Sequence, residues 1–245
     1  MPVTAICLAT GAVVESFSVS DAEWNAMRAD KGAFLMRRSG KVAVLRENRH
    51  GTRWFQSKPG DRDPDYKPES PAHEMTKIWI VRSLRAAGYK ATAEQFGVSP
   101  EGERWEADAF VDLGDKRIAI EVQMSPQTLA DYLYRTQRYR RSGVKVIWLV
   151  RHFHQFSIEA VYRKGFKPGS PGMQPDLEDV PALGLELRCS MNEPSADAIR
   201  VHVIEVGGRS YTTISLHEFA LGIVSGALVF HRGSHWAWKR PKEAP

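Results

Sequence analysis

The stretch that decides the fold is WEADAFVDLGDKRIAIEVQMSPQTLADYLYRTQRYRRSGVKVIWLV, residues 105–150. Trp105–Leu113 reads as a strand, and alternation puts Glu106, Asp108 and Phe110 on one of its faces. Gly114-Asp115 supplies a tight hairpin turn, so Arg117–Gln123 returns as an antiparallel neighbour. Ser125-Pro126 reads as the opening of a helix over 126–142 that stops at Gly143. VKVIWLV (144–150) is an apolar run of the kind found in strands buried on both faces. A strand, a helix and a strand in this order form one crossover, which predicts that 117–123 and 144–150 are parallel.

Working outward, Ser70 is an N-cap with Pro71 at the first helical position, and the helix runs through HEMTKIWIVRSLRAA to Gly88. Tyr89–Phe96 follows as a strand. Residues 1–56 hold short β-like runs at Val3–Leu8, Ala12–Val19 and Lys41–Arg46, with a helix after Ser20 whose capping box is completed by Glu23. Downstream, strands are expected at Ile199–Val206 and Tyr211–Ile214 around a Gly207-Gly208 turn. A helix capped by Ser215 and Glu218 then ends near Gly226. Two stretches with four prolines each, 57–71 and 164–182, read as a linker and a long surface loop. The last residues, HRGSHWAWKRPKEAP, form a basic aromatic tail. The expected organisation is a small N-terminal α+β lobe (1–60), a core (68–155) and a C-terminal α+β extension (156–245).

Bulk composition sets limits. Lys and Arg number 34 against 29 Asp and Glu, a net charge of +5 that suits a phosphate-bearing partner without requiring one. Two distant cysteines, Cys7 and Cys189, make neither a disulfide framework nor a metal-ligand spacing. The N-terminus lacks a positively charged leader pattern. The longest apolar stretch, Phe219–Phe230, has about 12 residues against the roughly 18 that span a bilayer. A soluble, cytoplasmic protein without a membrane partner is expected; oligomeric state is not legible.

The chemistry concentrates in D-x₁₂-E-x-Q. Glu121 and Gln123 are the polar exceptions on an otherwise apolar strand, beside the strand that carries Asp108. Hard oxygen ligands on adjacent strands suit Mg²⁺ and phosphodiester hydrolysis. Spacing alone leaves a second reading open, in which Glu121 and Gln123 line the solvent face of an edge strand. His73 and Lys77 are four apart, on one helical face, and Glu94, on the strand before Asp108, is either a further ligand or supporting group or a solvated strand residue. Arg135, Arg138 and Arg141 lie along one side of the next helix, where they suit a DNA backbone or simply solvent.

These residues also carry a resemblance. His73 and Lys77 as H-x₃-K, Asp108 on its strand, Glu121-x-Gln123-x-Ser125, Arg135-Thr136-x₂-Tyr139 and Ile147-Trp148 come in the order seen in the competence-protein CoiA-like family. That family is placed in the PD-(D/E)XK nuclease superfamily. The resemblance implies a restriction-endonuclease-like α/β (α+β) core with a mixed central sheet flanked by helices, and metal-dependent DNA cleavage. By the same implication Asp108, Glu121 and the Val122 carbonyl hold Mg²⁺ or Mn²⁺; Glu94 is a further candidate donor from its place on the neighbouring strand, not from the resemblance. Gln123 orients water, His73 and Lys77 assist, and Ser125, Arg135 and Tyr139 meet DNA; Arg138 and Arg141 join them only through their helical spacing from Arg135. Two departures stand out: Gln123 replaces the usual Lys, and the Cys-x₂-Cys pair of many relatives is missing, so no zinc is expected. The alternative is a DNA-binding module that keeps the fold but cleaves weakly or not at all.

Overall fold

The computed structural model describes residues 2–58, 60–61, 69–151, 177–189, 195–207, 210–231 and 235–240. Much of the Pro-rich linker and loop, Gly208 of the predicted turn and the ends of the tail lie outside them. The chain divides into two compact units, Met1–Glu74 and Met75–Pro245.

The first unit holds strands β1 (Thr4–Cys7), β2 (Val13–Glu15), β3 (Phe34–Leu35), β4 (Ala43–Glu47) and β5 (Arg53–Ser57), with helix α1 (Asp21–Ala29). β2-β1-β3 make a small sheet and β4-β5 a hairpin. The Ser20/Glu23 capping box opens α1 as its spacing predicts. Trp24 on α1 meets Phe55 edge-on at 5.7 Å, and Phe34, Met36 and Ala43 complete this core.

Helix α2 (Pro71–Ala86) leads into the second unit, and the unit boundary falls one turn into it. Then come β6 (Lys90–Val98), β7 (Arg104–Asp112), β8 (Arg117–Gln123), α3 (Leu129–Arg141), β9 (Val144–Arg151), β10 (Ala182–Leu187), β11 (Ile199–Ile204), β12 (Tyr211–Ser215), α4 (Leu216–Val224), β13 (Leu228–His231) and β14 (His235–Trp238). Seven of these strands form one mixed sheet in the order β12-β11-β10-β9-β8-β7-β6. β8 and β9 are parallel and β7 and β8 antiparallel, as the crossover and the hairpin turn require. α3 packs on the sheet through Tyr132 and Tyr139, against Val144, Val146, Trp148 and Val150 of β9.

Three readings need correction. α3 begins at Leu129, not at Pro126, because Thr128 and Asp131 form a reciprocal capping box three residues further on. β10 extends the sheet where only a loop was read as far as residue 182: ALGLEL is short and broken by Gly184, yet it pairs in parallel with β9. The aromatic tail is partly a strand. β14 pairs with β13, and the Trp238 ring stacks beside Phe219 at 6.3 Å. Gly222 makes room for it, since a Cβ there would lie 2.1 Å from the indole.

Gly97 plays the same part on β6. It sits opposite Trp105, and an added Cβ would lie 2.0 Å from that ring, whose N–H donates to Ser142 Oγ at 2.8 Å. Gly97→Ala is therefore expected to destabilise by about 1–3 kcal/mol through overpacking. Urea unfolding checks this; an unchanged midpoint would mean that the indole moves aside freely.

Candidate active site

Glu121 is the centre of the site. It lies on β8 level with Trp148 of β9 and is only 4% exposed. A buried carboxylate is costly unless donors surround it. Here Arg135 Nη2 donates to Oε2 at 2.9 Å, and the Tyr139 hydroxyl donates to Oε1 in a short hydrogen bond. Arg135 and Tyr139 are one turn apart on α3, so the same helix face delivers both. The Arg135 guanidinium lies 4.5 Å from the centroid of the Trp148 ring, whose indole N–H donates to Thr136 Oγ1 at 3.0 Å. The residues of R-T-x₂-Y and I-W thus form a cage around one acid.

Electrostatics keep Arg135 charged and Tyr139 neutral. Burial first, and then the negative charge of Glu121, push the Tyr139 phenol well above its ordinary pKa. Burial works against the charge on Arg135, but Glu121, Tyr139 and Asp108 outweigh it and raise that pKa. Arg135 also donates to Gln123 Oε1 at 3.3 Å and to Gln127 Oε1 at 3.2 Å. Gln123 Nε2 in turn donates to the Ser125 carbonyl at 2.8 Å. The amide of the E-x-Q pair is held at both ends.

Asp108, on β7, accepts the Val122 backbone N–H on Oδ2 at 2.8 Å. Its charge acts on both Arg135 and Tyr139, so the two carboxylates work on one helix face. On β6, Glu94 lies between residues paired with Ala109 and Ala107, which puts it opposite Asp108. Its φ of 50° is the only positive value among the described non-glycine residues, a conformation costing about 1–3 kcal/mol. What holds it is a buried ion pair: Lys77 Nζ donates to Glu94 Oε1 at 2.7 Å, with both side chains almost fully enclosed.

His73, in the first turn of α2, donates its backbone N–H to Ser70 Oγ at 3.2 Å and has Nε2 3.9 Å from Glu69 Oε1. Glu69, the partner of His73, was missed in the sequence because it sits in the Pro-rich stretch, and its one signal is the spacing of four to His73.

The arginines of α3 are laced into the fold. Arg141 pairs with Glu101 at 3.3 Å and with Glu103, and Arg138 stacks 5.9 Å from the Tyr134 ring. Arg140 pairs with Asp179 at 2.5 Å. Tyr139 has 0% exposure, which leaves no surface for a phosphate.

Asp108, Glu121, Gln123 and the caged arginine all fall in one matched segment. Residues 69–163 match the family model for competence protein CoiA, nuclease-like domain. The CoiA-like resemblance read from the motifs is supported over this segment, and with it a nuclease-like fold. No curated protein matches the chain. Among solved structures, a protein of unknown function, AF1548, is 13% identical with a TM-score of 0.26, over 32% of this chain and 47% of that one. The likeness spans about half of that protein and is too slight to inform fold or function. No described helix is long and apolar enough to cross a membrane.

Proposed function

We propose that the CoiA-like segment hydrolyses phosphodiester bonds in DNA with Mg²⁺ or Mn²⁺. The observation that carries this is the buried Glu121 carboxylate, fixed by Arg135 and Tyr139 beside Asp108 of the neighbouring strand. The oxygen donors suit a hard cation: Asp108 and Glu121 would hold it, with the Val122 carbonyl and Glu94 as further donors. A divalent ion bound there supplies Lewis acidity and lowers the pKa of water.

The chain does the rest. Gln123, held by Arg135 and Ser125, orients the attacking water, and the His73 ring accepts its proton. Lys77 neutralises Glu94, so it assists by holding that carboxylate in place rather than by supplying the positive charge that Gln123 lacks. Arg135 and Tyr139 serve DNA indirectly by placing Glu121, whereas Ser125, Arg138 and Arg141 are the groups proposed to meet the backbone. The nuclease core is assigned to 68–155, flanked by the lobe at 1–60 and the extension at 156–245, and the setting to the cytoplasm.

Incubation with supercoiled plasmid and with single-stranded DNA tests the reading. Nicking or degradation with Mg²⁺ or Mn²⁺, and none in EDTA, is expected. DNA binding with no cleavage under any metal would favour the inactive binding module.

A further inference from the structure

A second cleft opens on the other flank of α3. It is lined by Thr136 and Arg140 of that helix, Gly143–Val146 at the start of β9, Glu178, Pro181, and Trp236 of β14, with a volume of about 360 Å³. That lies within the roughly 300–1,000 Å³ typical of small-ligand clefts. Lys145 Nζ stands 5.6 Å from the centroid of the half-buried Trp236 ring, and Phe230 backs the indole at 5.4 Å. An ammonium and an indole sharing one cleft are the two groups that recognise a nucleotide, one for phosphate and one for the base.

We propose that this cleft is a subsite for a nucleoside monophosphate unit of single-stranded DNA, in which the phosphate draws the Lys145 ammonium off the Trp236 ring and the base takes its place there. The charges around it favour an anion at Lys145 in particular. Arg140 is already committed to Asp179 and to the Glu178 carbonyl, at 2.5 and 3.3 Å. Among the described residues Lys145 pairs with no acid and instead lies over the Trp236 ring. Packing around its ammonium, and then repulsion from Lys116, lower its pKa, and the charge of a bound phosphate would offset both. Glu178 is the one acidic residue among the described residues of the lining, so the phosphate belongs on the Lys145 side. α3 separates this cleft from Glu121: Arg135 and Tyr139 face the acid, while Thr136 and Arg140 face the cleft. A strand crossing α3 would thus be gripped beside the place where it is cut. The choice of a polymer over a free nucleotide rests on the proposed nuclease reading; the cleft's chemistry does not.

The test is binding of labelled oligothymidylate to the whole chain in EDTA, by fluorescence anisotropy, with thymidine monophosphate and duplex DNA as competitors. Lys145→Gln and Trp236→Leu should each weaken binding about tenfold, whereas Trp236→Phe keeps most of it. Lys145→Gln should also lower the salt slope by about 0.7, one phosphate on a single strand. Should Trp236→Leu fail to fold, the exposed Lys145 carries the test by itself. Unchanged affinity and slope in a folded Lys145→Gln would overturn the subsite, even if the wild type cleaves DNA. Binding that depends on both residues without any cleavage would keep the subsite and sink the nuclease. Competition by the monophosphate as strong as by the oligomer would overturn the DNA assignment in favour of a free nucleotide.

Discussion

Asp108→Asn and Glu121→Gln will each reduce DNA cleavage by about 100-fold or more, beyond what losing an outer hydrogen-bond partner of a metal site costs. The two differ in what else they disturb. An asparagine at 108 still offers an oxygen to the Val122 N–H, so the fold should be untouched and binding in EDTA preserved. A glutamine at 121 faces two donors, Arg135 and Tyr139, with a single acceptor atom. That variant should lose stability as well as activity. Cleavage assays alongside thermal melts separate the two effects, and wild-type cleavage by Asp108→Asn would end the site assignment.

The largest loss of stability is expected at Lys77. Lys77→Met keeps the side-chain length but leaves Glu94 enclosed without its ammonium partner. Breaking one side of a buried pair costs about 3–5 kcal/mol, which for a chain of this size lowers Tm by roughly 6–20 °C. Lys77→Met combined with Glu94→Gln should recover at least half of that loss, because no unpaired charge remains. Calorimetry of the single and double variants gives the coupling. A Lys77→Met protein that melts with the wild type would show that the pair contributes nothing to stability.

Much of the sheet was readable because its punctuation is local. Gly88, Gly114 and Gly143 mark element ends, and β8 has the very bounds, Arg117–Gln123, that its turn and pattern predict. Capping boxes at Ser20 and Ser215 were equally plain. β10 was not, since six residues broken by Gly184 become a strand only through pairing with β9 and β11. The chemistry-bearing residues could be named but their partners could not. Helical spacing groups Arg135 with Arg138 and Arg141 as if on one basic ridge. The structure instead turns Arg135 inward to Glu121, 14 positions earlier in the chain, a tertiary choice that no periodicity encodes. Lys77 and Glu94, 17 positions apart, were likewise weighed singly and met as a pair.

The pairing of β9 with β10 bears on any attempt to work with the matched segment alone. Its bounds, 69–163, include β9 but stop before β10. In the whole chain β9 is an interior strand, with Trp148–Arg151 hydrogen-bonded to Ala182–Leu185. Cut away from β10, that side of β9 becomes an open rim of unpaired backbone beside a run of large apolar side chains, Ile147 to Val150, all buried at present. Such a rim is a template for pairing with other copies. The truncated nuclease-like segment would therefore be prone to self-association in the test tube, and precipitation of such a fragment would reflect the missing strand rather than the candidate site.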